Sequence, residues 1–130
     1  MRRLICLVAL VLGMTAPMNG QQVMLKTAND LVRMCQDRSP RSLQHNSADA
    51  VGYGFCLGLF NGLIASNVYT KELKLGQPLF CATSDVFPDE ARKVFLRWMN
   101  DHPEQLHEDA LSVAIVSLRK AFPCEWDHGS

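Results

Sequence analysis

The chain has 130 residues, with 13 basic and 13 acidic side chains and a formal charge of zero. That length makes one domain with a modest core. Balanced charge without a basic tract argues against nucleic acid as a partner.

The first 20 residues read as a secretory signal peptide. Arg2 and Arg3 form a positive start, Leu4 to Met14 is an uncharged apolar run of 11 residues, and a polar stretch rich in small residues follows. Such a run is too short for a membrane span, which needs roughly 20 apolar residues. Cleavage after Gly20 is favoured over cleavage after Ala16, which would leave Pro17 first. Cys6 lies too early to be a lipidated cysteine. Without residues 1–20, 110 residues remain, with 11 basic and 13 acidic side chains and a formal charge of −2.

Four cysteines remain in that mature stretch: Cys35, Cys56, Cys81 and Cys124. An even count in an exported chain points to disulfides. The gaps of 21, 25 and 43 residues contain no close ligand pair of the kind structural zinc requires, so neither metal nor cofactor is expected.

Four helices are predicted, near 28–37, 47–67, 88–101 and 103–121, in one all-α bundle. Thr27 and Asn29 can cap the first, whose Leu31, Met34 and Cys35 share a face. Pro40 stops it, and 38–46 reads as a polar loop. Ser47 starts the second helix. Between Ala50 and Ala65 no residue is charged. A helix apolar on most sides is buried, so this one is placed at the centre of a soluble bundle, where Phe55 and Leu59 cannot both face solvent. Gly54, Gly58 and Gly62 line one stripe of it. Each costs about 1 kcal/mol against alanine, so close approach of another helix or a partner backbone is the expected return. The run from Gly52 to Gly58 lacks the spacing and the preceding strand of a dinucleotide-binding loop.

Residues 67–80 form the longest connection, broken by Gly76 and Pro78. Pro88 suits the first position of the third helix, where Ala91, Val94, Phe95, Trp98 and Met99 form an inner stripe. Asp101 to Pro103 turns the chain into the fourth helix, with Leu106, Ala110, Val113, Ala114, Ser117 and Ala121 inward, until Pro123. Antiparallel third and fourth helices bring Cys81 and Cys124 to the same end. Cys35 ends the first helix beside the second, which carries Cys56. The pairing Cys35–Cys56 and Cys81–Cys124 is therefore predicted among the three alternatives.

Catalytic residues are not found. No serine-hydrolase elbow, zinc-protease helix or phosphate loop is present. His45 falls in a polar loop, His128 in the tail, and His102 and His107 flank a helix start, where capping or solvation is the simpler role. Asp89, Glu90, Glu108 and Asp109 suit first turns or exposed faces. Disulfides would remove the free thiol that a cysteine nucleophile needs.

The order Cys35-Gln36, Phe55-Cys56-Leu57-Gly58 with Gly62, Phe80-Cys81, Trp98 with His102-Pro103-Glu104 and Leu106-His107, then Ala121-Phe122-Pro123-Cys124 resembles the Rap/Tai family of immunity proteins over residues 27–124. The resemblance implies a periplasmic, all-helical, non-enzymatic protein. Such proteins protect bacteria from peptidoglycan amidases delivered by type VI secretion, by plugging the amidase cleft, and they tend to dimerise. The second reading is an exported helical protein of another role: a stress chaperone, or a structural or phage-encoded factor. Stable membrane insertion after signal cleavage is not expected. A cleft plug needs an exposed segment held at both ends. Val68 to Leu79 suits this, with Tyr69, Lys71, Glu72 and Lys74 as expected contacts, and Arg38 to Asn46 is the other candidate.

Overall fold

A computed structural model describes residues 25–125. The expected signal peptide with Cys6, and His128, lie outside the described residues. Five α-helices carry the fold: α1 (Ala28–Cys35), α2 (Pro40–His45), α3 (Ser47–Glu72), α4 (Pro88–Asp101) and α5 (Ala110–Ala121), with a 3-10 turn at Pro103–His107. The described chain is all-α, without a strand.

Local chemistry accounts for each helix start. At α1 a reciprocal capping box forms: the Asp30 amide donates to Thr27 Oγ1 at 3.3 Å, and the Thr27 amide donates to Asp30 Oδ2 at 3.0 Å. Asn29 is therefore inside the helix and not its cap. The helix ends at Cys35, before Pro40 could stop it. The residues expected to be one polar loop, 38–46, instead contain α2. Ser39 caps it through the Ser42 amide at 3.1 Å, and Pro40 occupies the first helical position. The Asn46 side chain caps α3 through the amides of Ala48 and Asp49.

The continuous helix expected over 103–121 is divided. Glu108 is extended, and Asp109 caps α5 by accepting from the Ser112 amide at 2.8 Å. The reason lies outside the segment. The amide of Ala28 donates to Glu108 O at 2.9 Å, and the amide of Ala110 donates to Lys26 O at 3.1 Å. These two bonds lace the entry of α1 to the entry of α5, and a helix through 108–109 could not make them. Ala121, expected inward, is exposed.

The core gathers Leu31 and Cys35 of α1, Phe60 and Ile64 of α3, Phe95 and Met99 of α4, and Val113 and Leu118 of α5. The rings of Phe60 and Phe95 meet at 5.7 Å, tilted by 45°. Two disulfides staple it: Cys35–Cys56 joins α1 to α3, and Cys81–Cys124 closes the base of the α4–α5 hairpin. Both pairs are the predicted ones.

Helix α3 departs most from expectation. Its length and composition would suffice to cross a membrane, yet Cys56, Phe60, Ile64 and Asn67 dock one side of it into the core. Its other side is open. Phe55 is 40% exposed and Val51 more so, while Leu59 is half-buried against the core. A Cβ added at Gly54, Gly58 or Gly62 would meet nothing within 4 Å. The charge-free stretch is thus buried along one side and not surrounded by protein.

Candidate interaction surface

Helix α3 runs one and a half turns past Asn67, where the sequence reading ended it. The residues Val68 to Glu72 contain no breaker, so the helix continues until its last carbonyls find partners. The amide of Leu75 donates to Thr70 O at 3.1 Å, and that of Lys74 to Lys71 O at 3.3 Å. This pair of bonds is the Schellman closure, which puts the residue after the cap in the left-handed region. That residue is Lys74, at φ 53°, in a place usually taken by glycine.

Of the expected contact residues, Tyr69, Lys71 and Glu72 therefore lie on the last turn of α3, and only Lys74 lies in the loop. All four are exposed at the same end of the molecule. What the sequence reading missed is apolar. Leu73 is 63% exposed and Leu75 is 74% exposed, and Leu79 and Tyr69 are more than half exposed. Leucines in an otherwise polar, Gly- and Pro-containing stretch were the available signal. Burying one leucine side chain is worth roughly 2 kcal/mol, so this tip carries a large unused binding energy.

The loop returns to a firm anchor. Asn67, buried on α3, accepts through Oδ1 from the amides of Leu79 at 2.6 Å and Phe80 at 3.1 Å. Its Nδ2 donates to Leu63 O at 2.9 Å. Phe80 is fully buried, and the next residue, Cys81, is held by its disulfide and by its amide donating to Phe122 O at 2.9 Å. Between the end of α3 and residues 82–84 lies a shallow cavity of about 360 Å³, floored by Val68 and rimmed by Lys71 and Glu72. Hydrogen bonding to Thr83 holds the Asp85 carboxyl below its usual range.

The other candidate segment is differently built. Arg38 donates to Arg33 O at 2.9 Å and faces Asp49 at 3.6 Å, and Ser42 Oγ donates to Asp49 Oδ2 at 2.7 Å. Arg38 and Ser42 are turned onto α1 and α3, Arg41, Gln44 and His45 are exposed, and the segment presents no large exposed apolar side chain.

A cleft of about 490 Å³ between α4 and α5 is lined by Val94, Trp98, Lys93, Arg97 and Lys120. Lys93 is paired with Asp89 at 2.7 Å. His102 stacks on Trp98 at 3.8 Å, and its Nδ1 lies 2.9 Å from Trp98 O, so it closes the end of α4. His45 and His107 are exposed at the ends of α2 and of the 3-10 turn. Among the described residues no group of three or more His, Cys, Asp or Glu side chains is gathered to hold a metal ion.

A disulfide-stapled helical scaffold that presents a fixed, apolar-tipped loop is built as a binding protein. The profile of the Rap1a immunity proteins matches residues 27–124, and the chain belongs to that family. Membership bears out the resemblance and implies a protein that binds a partner effector protein. No curated protein and no solved structure matches the chain.

Proposed function

We propose that the protein is exported to the periplasm, where it binds a peptidoglycan amidase delivered by type VI secretion and occludes its cleft with the segment from Tyr69 to Leu79. The observation that carries this reading is a loop exposed at its apolar tip and fixed at its returning end. Such a loop loses little conformational entropy on docking. Its tip offers Leu73 and Leu75 to an apolar floor, and Lys71, Glu72 and Lys74 stand where they can meet a polar rim. Two disulfides fit an oxidising compartment. The action is stoichiometric inhibition without turnover.

The resemblance also implies a homodimer. The open face of α3 along Gly54, Gly58 and Gly62, with Val51 and Phe55 beside it, is the surface we assign to it. A second copy seated there would use the close backbone approach that three glycines permit.

The test is titration of peptidoglycan amidase effectors of type VI secretion, with release of soluble fragments from peptidoglycan as the readout. Inhibition that is complete at one inhibitor chain per amidase supports the reading. Undiminished hydrolysis at a large molar excess refutes it, and then a chaperone or structural role is the reading to pursue.

A further inference from the structure

Helix α3 carries a buried asparagine at the point where the exposed loop begins, and both functions of its side chain amide are used. Nδ2 is tied to Leu63 O within the helix, which fixes the side chain's orientation. Oδ1 then faces the returning strand of chain and takes the amides of Leu79 and Phe80 together. Asn67 is 5% exposed, so water does not compete for these bonds. The two donors lie twelve and thirteen residues further along the chain.

We infer that Asn67 is the positioning residue of the plug loop. It sets the distance between the last turn of α3 and the returning chain, and so the height and direction in which Leu73 and Leu75 project. Cys81–Cys124 holds the chain beyond Phe80, but it is anchored to the α4–α5 hairpin and not to α3. Asn67 is the contact that references the loop to the helix that launches it. No aliphatic side chain can replace it, because burying the amides of Leu79 and Phe80 without an acceptor is costly. This inference rests on the occlusion reading for its binding consequence, but not for its structural one.

Two measurements keep those parts separate. The first is amide exchange by NMR on the purified protein alone. In the wild type the amides of Leu79 and Phe80 exchange slowly and those of Gly76 and Gln77 rapidly. In Asn67→Leu, which keeps the branching and removes the acceptor, exchange at Leu79 and Phe80 accelerates at least about tenfold. Asn67→Asp, which keeps the acceptor but loses the donor to Leu63 O, restores part of the protection. Should Asn67→Leu not fold, Asn67→Ala serves in its place. Unprotected amides in the wild type, or unchanged exchange in the apolar variant, overturn the inference.

The second is association with the amidase. A loop held only part of the time in its binding geometry lowers the association rate in proportion to the competent fraction, about tenfold for a fraction near one in ten. Asn67→Leu should slow association, leave dissociation and stoichiometry unchanged, and be partly rescued by Asp. A general structural defect would instead lower stoichiometry. If Leu73→Ser/Leu75→Ser abolishes binding while Asn67→Leu associates at the wild-type rate, the positioning role is overturned and occlusion stands. If the double serine variant binds like the wild type, occlusion by this loop fails, and the exchange experiment alone decides what Asn67 holds.

Discussion

Arg92 Nη1 donates to the carbonyl oxygen of Cys35 at 2.7 Å. That carbonyl is the last of α1, and Arg92 stands on α4, so one guanidinium closes the end of one helix from another. Nη2 donates to Asp37 Oδ1 and Nε to Asp89 Oδ1, each at 2.8 Å, and Cζ lies 5.4 Å from the ring centre of Tyr53 on α3. The residue is 1% exposed, which a charged group tolerates only when it is paired and hydrogen-bonded, as all three nitrogens are here. The site ties α1, α3 and α4 together beside the Cys35–Cys56 disulfide.

Arg92→Met, similar in reach but without donors, should therefore lower the unfolding free energy by about 2 kcal/mol. Arg92→Lys should recover only part of this, because an ammonium cannot serve three acceptors in a fork. Urea unfolding of the oxidised protein is the measurement. Equal stability of Met, Lys and Arg at this position would show that the clamp contributes nothing.

Acid should weaken the fold through carboxylates that are better bound folded than unfolded. The amide of Thr27, then its hydroxyl, then Arg33 hold the Asp30 carboxyl at about 2, against an ordinary 3.8. Lys93 and Arg92 hold Asp89 below its usual range, and the amide of Ser112 does so for Asp109. Each depressed group contributes stability that is complete above its unfolded pKa and is lost as pH falls through its folded one. The urea midpoint should fall between about pH 4 and about pH 2, and Asp30→Asn should flatten that slope. A midpoint that rises on acidification would contradict the assignment.

How much of this was legible in sequence depended on how local each cause was. The start of α1 followed from Thr27, and the start of α4 from Pro88. The disulfide pairing followed because two antiparallel helices return the chain to its origin, whatever their detailed packing. The end of α3 did not follow, since its closure puts Lys74 where a glycine would have marked it. The division before α5 depended on Lys26 and Ala28, some eighty residues away. Asn67 looked like one more polar residue opening a loop, and only the return of Leu79 and Phe80 shows what it holds.

Glycines and one lysine sit where their opposites would be more stable. Since a methyl group at Gly54 or Gly58 meets nothing, Gly54→Ala and Gly58→Ala should each raise stability by about 1 kcal/mol. At Lys74, with its φ of 53°, Lys74→Gly should gain about 1 kcal/mol for the opposite reason. Thermal unfolding of the free protein checks all three. A loss at Gly54 or Gly58 would mean that α3 is covered on that face. If the alanine variants are more stable yet self-associate less in sedimentation, the face belongs to the dimer.

The Cys81–Cys124 bond spans 43 residues and the Cys35–Cys56 bond 21. In the chain-entropy account these are worth about 4 and about 3 kcal/mol. Cys81→Ser/Cys124→Ser should therefore cost more stability than Cys35→Ser/Cys56→Ser in denaturant unfolding. Thiol labelling of denatured, unreduced wild-type protein should find no reactive cysteine. Two or more labelled thiols per chain would contradict the pairing.

The central claim is that the apolar tip after α3 is what enters the amidase. Leu73→Ser/Leu75→Ser leaves every helix and both disulfides untouched, because both side chains stand in solvent. Measured by calorimetry against the amidase that the wild type inhibits, it should weaken binding at least about a hundredfold, from the burial of two leucines at roughly 2 kcal/mol each. An affinity unchanged from the wild type would place the interface elsewhere on the molecule and contradict the account.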